Sequence, residues 1–291
     1  MALDTPLARS VRPRRQTAAR LFVAACQAAT LVGLVFLALL LADVGRDGAP
    51  YLRPHLVTHF PSRFPAQAGY ASALVGTVLV TGVMALLAFP LGVLAAIYLT
   101  EYARPGRLPA LLHLNIANLA AVPSVLYGLL GLGVFVELLR LGKSILAGAC
   151  TLALLVLPLV ILATREALMS VPTTIREAAW ALGATRWQVV RHHVLPYAAP
   201  GILTGILLAL SRAVGETAPL IMLGALQYVP FLPRGLGDYF TVLPIQIFNY
   251  VSLPQPEFHR VAAAGILLLL VVLLLLNATA IWLRNRWQIH W

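Results

Sequence analysis

Two charged residues stand inside an apolar run of this chain, and they are the first that could do chemistry. Arg212 and Glu216, within SRAVGETAP at 211–219, are four residues apart. On a helix that spacing puts them one turn apart on a shared face, where they can pair. Charges inside a spanning segment face a cavity or the bundle interior, and they mark functional sites by default. A guanidinium is permanently charged, and its fork of donors fits a tetrahedral oxyanion. Glu216 can balance Arg212 when no anion is present. It can also accept a hydrogen bond from a protonated phosphate, which a fully ionised oxyanion does not offer. The alternative reading is a static ion pair that locks helix packing. On the same run Gly201, Gly205, Ala209 and Ala213 recur at four-residue steps, the pattern of a close helix contact.

The second chemically distinctive stretch is PTTIREAAWALGATRWQVVRHHVLP, residues 172–196. It is long, charged and polar in a chain that is otherwise mostly apolar. It reads as two short helices joined at Gly183, a residue suited to the left-handed position that ends a helix. Thr174 and Glu177 have the spacing of a capping box, and Thr185 and Gln188 repeat it. Ile175, Ala178, Ala179 and Leu182 share one face of the first helix. Trp187, Val190 and Val194 give the second an apolar side, and Pro196 is expected to help stop it. Such a helix pair between two membrane spans is either an interfacial amphipathic loop or a docking knob for a soluble partner.

Other signals fail on spacing. Gly142-Lys143-Ser144 would need a glycine at position 137 to make a phosphate-binding loop, and that position is Glu137. No ATP site is expected on this chain. His55 and His59 have a metal-ligand spacing but no clear third ligand. His192 and His193 are adjacent and point different ways on a helix. Neither H-E-x-x-H nor G-x-S-x-G occurs. No catalytic residue, metal or cofactor is expected.

The elements that must carry these residues follow from composition. Of the residues, 60% are hydrophobic and 11% charged, against roughly 45–50% and about 25% in soluble domains. The fold class is therefore an all-α integral membrane protein. The net charge of +11 lacks a basic stripe with interleaved aromatics, so no nucleic acid partner is expected. The positive charges cluster at the ends of apolar runs, as the lipid bilayer requires. Cys26 and Cys150 lie inside apolar runs, far apart, and read as small packing residues, not as a disulfide.

In order, residues 1–20 form a basic tail and 21–44 a first transmembrane helix, too long for the apolar part of a signal peptide. Residues 45–69 form an external loop. A core of five further spans fills 70–283, for six transmembrane helices in all. The expected spans are 72–98, one within 108–139 marked by Pro123-Ser124 and three glycines, 145–163, 198–223 and 261–283. His113, Asn115 and Asn118 place the start of the 108–139 region at the interface or on a packed polar face. The polar 172–196 loop and an aromatic, proline-rich external segment at 224–260 interrupt the core. Residues 284–291 form the C-terminus. Lys and Arg number 13 on the side holding both termini and the 172–196 loop, and 7 on the other. The excess makes the first side cytoplasmic.

Glu177-Ala178-Ala179, then Gly183, then Leu195-Pro196 resembles the EAA loop of ABC-importer permeases. The aliphatic position of that motif falls here on His193, with Val194 beside it, which leaves one packing contact open. The resemblance implies a type I, MetI-like permease core whose loop docks in a cleft of a cytosolic ATPase. Arg212-x3-Glu216-Thr217-Ala218-Pro219, together with Pro123–Leu129 and Ala95–Tyr102, is similar to the phosphate-importer permeases of the PstA type. Residues 243–248, LPIQIF, resemble the external segment of that family, and the likeness runs from about residue 70 to the C-terminus. It implies a substrate pathway lined by Arg212 and Glu216, and ATPase coupling through Glu177, Ala178, Ala179, Gly183, Leu195 and Pro196. The implied partners are an ABC ATPase dimer, a homologous second permease, a periplasmic or lipid-anchored phosphate-binding protein, and membrane lipid. The implied location is the bacterial cytoplasmic membrane. A permease for sulfate or molybdate, and a non-transporting membrane scaffold or sensor, are the rival readings.

Overall fold

A computed structural model describes residues 13–104, 106–225 and 228–286. The start of the basic tail, residues 1–12, and the end of the C-terminus, 287–291, lie outside them. The first helix, α1 (Pro13–Gly48), is apolar along its spanning length and none of that length is buried within the chain. It leans on the last helix near its end, where the Gly48 backbone meets that of Ala263 and Ala264. A short helix, α2 (Pro54–Thr58), lies in the external loop and buries Leu56.

The centre of the bundle is built from α3 (Ala71–Ile97) and from two helices that follow the next connection. Pro90 lies inside α3 without ending it, and the helix runs on through a widened turn at Tyr98–Tyr102. Neighbouring helices and local turn adjustments make such prolines tolerable in membranes. The 108–139 region is broken, as its polar first half suggested. An amphipathic α4 (Arg107–Ala120) has no buried residue, and α5 (Ser124–Gly131), continued by a widened turn to Leu138, leaves it at 99°. Pro123 sits at the break, in the extended conformation that starts a helix.

The most buried span is α6 (Ile145–Met169), with 67% of its apolar window inside. It extends six residues past the expected Ala163, and its end carries the neighbouring pair Arg165 and Glu166, 3.4 Å apart. The polar loop forms α7 (Thr173–Ala181) and α8 (Arg186–Val189), after which α9 (Leu195–Gly215) crosses the bundle. The next helix, α10 (Ala218–Leu223), packs on α5, and α11 (Leu243–Val251) lies in the external segment. The last, α12 (Pro256–Arg286), closes the chain. Among the described residues five helices are long and apolar enough to span, and a sixth crossing is made if the bent α4–α5 pair counts as one span.

Three apolar clusters hold these pieces. The central one joins Met84 and Ala88 of α3, Leu152, Val156 and Val160 of α6, and Ala209 and Ala213 of α9. A second, at the base, ties Ile97, Leu168 and Ala198 to Ala179, Val189 and Val194 of the polar loop. A third, at the opposite end, gathers Leu56, Tyr70, Leu243, Tyr250 and Phe258. The small-residue stripe of α9 is a helix contact. A methyl at Gly201 would come 2.8 Å from that of Ala167, and one at Gly205 2.5 Å from that of Ala163.

Three local expectations are corrected. The fifth span is not continuous to Leu223, because the helix ends at Gly215 and Glu216 is extended (ψ 124). Pro196 does not stop the second loop helix. A widened turn at Val190–Val194 carries α8 straight into α9, with Leu195 N–H donating to Val190 O. Thr174 and Glu177 form no capping box. Pro172 takes the N-cap position, so Thr174 is already helical, and a capping residue must lie outside the helix.

Candidate functional site

The polar loop is a rigid hook under the bundle. Helix α7 ends at Ala181 with Leu182 as its C-cap, and Gly183 takes φ +82, a left-handed conformation that costs a side-chain-bearing residue roughly 1–2 kcal/mol. The expected capping box at α8 is present. Gln188 N–H donates to Thr185 Oγ1 at 3.4 Å, and Thr185 N–H donates to Gln188 Oε1 at 2.8 Å. Glu177 and Ala178 face outward, Ala179 is buried in the basal cluster, and Leu195 and Pro196 are half-buried where α9 begins. Leu182 is 90% exposed, with Trp180 and Trp187 also open. Ile175, Ala178, Ala179 and Leu182 line an apolar groove of about 470 Å³, with His193 and Tyr197 on its other wall. Val194, beside the motif's aliphatic position, is fully buried in the basal cluster, and His193 at that position lines the groove instead.

Sequence reasoning missed the residue that anchors this hook. Arg176 donates to Glu101 Oε1 at 2.8 Å, to Val171 O at 2.7 Å and to Leu168 O at 2.9 Å. Both side chains are nearly buried, at 13% and 9% exposure. The Arg186 guanidinium lies 5.5 Å from the centre of the Tyr102 ring, a cation–π contact on the same turn of chain. The available signal was weak: a carboxylate at the end of one apolar run and an arginine just past the end of another.

Arg212 and Glu216 are brought together as their spacing suggested. Arg212 Nε lies 3.3 Å from Glu216 Oε1, with side chains 50% and 17% exposed. Because the helix ends between them, Glu216 sits on the extended link to α10. Next to Arg212, Ser211 Oγ donates to Asn277 Oδ1 at 2.6 Å and ties α9 to α12.

The rejected motifs have structural roles. Ser144 caps α6 by accepting from Ala147 N–H at 3.2 Å, and the Lys143 stem packs on Gly224. The His55 and His59 rings meet edge to face at 5.5 Å. Among the described residues no three His, Cys, Asp or Glu side chains gather as metal ligands would.

A bundle of spans, a hook of two helices beneath it and a charged pair at a break in one span define a membrane transport permease. The chain belongs to the family of binding-protein-dependent transport system inner membrane components, whose family model matches residues 88–288. It is similar to the phosphate transport system permease protein PstA of Haemophilus influenzae, at 34% identity over 86% of this chain and 88% of that protein. The Yersinia pestis PstA is also 34% identical, over 96% of this chain and 95% of its own. Among solved structures, the fold matches a chain of a bacterial alginate ABC transporter, captured with an alginate-bound periplasmic protein, with TM-score 0.67. That match has 18% identity and covers 92% of this chain and 94% of the other. A chain of the inward-facing MetNI methionine ABC transporter matches with TM-score 0.62 at 20% identity, over 75% and 96%.

Proposed function

We propose that this chain is the permease subunit of an ATP-driven importer that moves inorganic phosphate across the bacterial cytoplasmic membrane. The observation that carries the substrate is the Arg212–Glu216 pair at a break in a span, in a chain related along nearly its whole length to PstA permeases. Arg212 supplies a permanent charge and a fork of donors to the anion. Glu216 holds Arg212 when the path is empty and accepts from the acidic proton of a protonated phosphate.

ATP hydrolysis belongs to a separate cytosolic ATPase dimer. It grips residues 172–196 through exposed Glu177 and Ala178 and the apolar groove, with Ala179, Gly183, Leu195 and Pro196 keeping the hook in shape. A homologous permease supplies the other half of the path. A periplasmic or lipid-anchored binding protein delivers phosphate to the external face. Both termini lie in the cytoplasm, as the charge asymmetry of the loops favours.

Labelled phosphate uptake in cells lacking the chain tests this reading. Restoring the chain should restore uptake, and excess sulfate or molybdate should not compete. Arg212→Gln, in an assembled complex, should lower uptake roughly tenfold or more, the loss of at least about 1.4 kcal/mol of interaction. Competition by sulfate or molybdate would overturn the substrate, and normal uptake by Arg212→Gln would overturn the role of the pair.

A further inference from the structure

We propose that the buried Glu101–Arg176 ion pair is a positioning device that passes displacement of α7 to span α3. The inference rests on the reading that the 172–196 loop is gripped by an ATPase. Helix α7 is joined to α6 by the chain itself, through Ser170–Pro172, so α6 follows any movement of the hook. Helix α3 has no such link. Arg176 reaches its end across 75 residues of sequence.

The geometry suits transmission. One guanidinium is shared between the carbonyls of Leu168 and Val171, at the end of α6, and the carboxylate of Glu101, at the end of α3. Its planar, rigid fork binds all three oxygens through one group, so the two helix ends and α7 are tied to shift together. The pair adjoins the basal apolar cluster of Ile97, Leu168, Val171 and Ala179, with little water to replace a broken hydrogen bond. Glu101 also stands on the widened turn Tyr98–Tyr102, an irregularity that recurs at functional sites in helices. Tyr102 on the same turn faces Arg186 of α8, so both helices of the hook bear on the end of α3.

The test uses the whole importer complex in lipid, with Cys26 and Cys150 replaced by alanine. Spin labels are placed at exposed positions on α7 (Thr174→Cys), α3 (Val78→Cys) and α12 (Leu274→Cys). The α7–α12 and α3–α12 distances are then measured with and without ATP. In the parent complex both should change. In Glu101→Gln the α7 label should still respond while the α3 response falls at least several-fold. Glu101→Asp, which keeps the charge but shortens the reach, should fall between. A full α3 response in Glu101→Gln overturns the proposal. If Glu101→Gln does not assemble, Glu101→Asp decides: a full α3 response there makes the pair a static lock, and a reduced one supports transmission. A charge swap is uninformative, because a carboxylate at 176 would face the carbonyls of Leu168 and Val171. The distances do not depend on the transported solute. Failure of the phosphate reading therefore shows in uptake by the parent complex, and failure of this inference only in the variants.

Discussion

Arg212 meets Glu216 across the end of a helix, where the chain turns extended, and Arg176 meets Glu101 across the base of the bundle. The first pair was legible in the sequence because its partners are four residues apart on one apolar run. The second was not, because periodicity reports neighbours within an element and these two lie on different elements. A third acid shows how an exposed residue can still be structural. Asp238 accepts from the N–H groups of Arg234 and Gly235 at 2.7 and 2.9 Å, and these bonds hold its carboxyl below the usual range. A carboxyl with a lowered folded value stabilises its turn above the ordinary value, about 3.9, and loses that contribution as pH falls through the folded value. Protection factors of the 234 and 235 amides, which divide out the intrinsic pH dependence of exchange, should therefore fall only in acid below that range, and in Asp238→Asn should already be lower above it. A protection factor in the parent protein that does not change with pH would remove Asp238 from this role.

At the scale of elements, the seam between α6 and α9 is set by residues that lack bulk. Gly205 and Gly201 bring α9 against Ala163 and Ala167, with no room for a larger side chain. Gly205→Leu should force the helices apart and lower stability by about 1–3 kcal/mol. Gly82→Ala on α3, where nothing lies within 4 Å of the added methyl, should leave the unfolding midpoint unchanged or slightly raised. Equal midpoints for parent and Gly205→Leu would show that the seam yields. The four-residue stripe announced this contact, and the box at Thr185–Gln188 announced a helix start. The failed box at Thr174–Glu177 shows the limit of such patterns. The helix begins immediately after Pro172, which moves Thr174 inside it.

At the scale of the molecule, the apolar runs that hydropathy marked fold as helices long enough to span, because a long apolar run has few alternatives to lying in lipid. Charge counts predict their direction, and labelling tests it. In intact spheroplasts an impermeant maleimide should label Leu236→Cys, and should label Arg107→Cys only after the membrane is opened. Both positions are exposed. The reverse pattern would invert the orientation. Composition did not reveal how the external segment folds. Residues 234–239 supply carbonyls to the start of α6, where Ile145 N–H donates to Asp238 O and Leu146 N–H to Leu236 O. Beyond them α11 is too short to span, yet it buries Leu243, Ile245, Gln246, Ile247 and Tyr250 against α3 and α12, and Leu243 N–H donates to Thr77 Oγ1 on α3. This placement sets an order in time. During synthesis α11 emerges before α12 has inserted beside it, so one wall of its berth is missing and its apolar face waits in the open. Only when the last span enters the bilayer can the berth close around it. A chain cut short before residue 256 would thus carry an unfinished pocket, the kind of defect that marks a membrane protein for degradation.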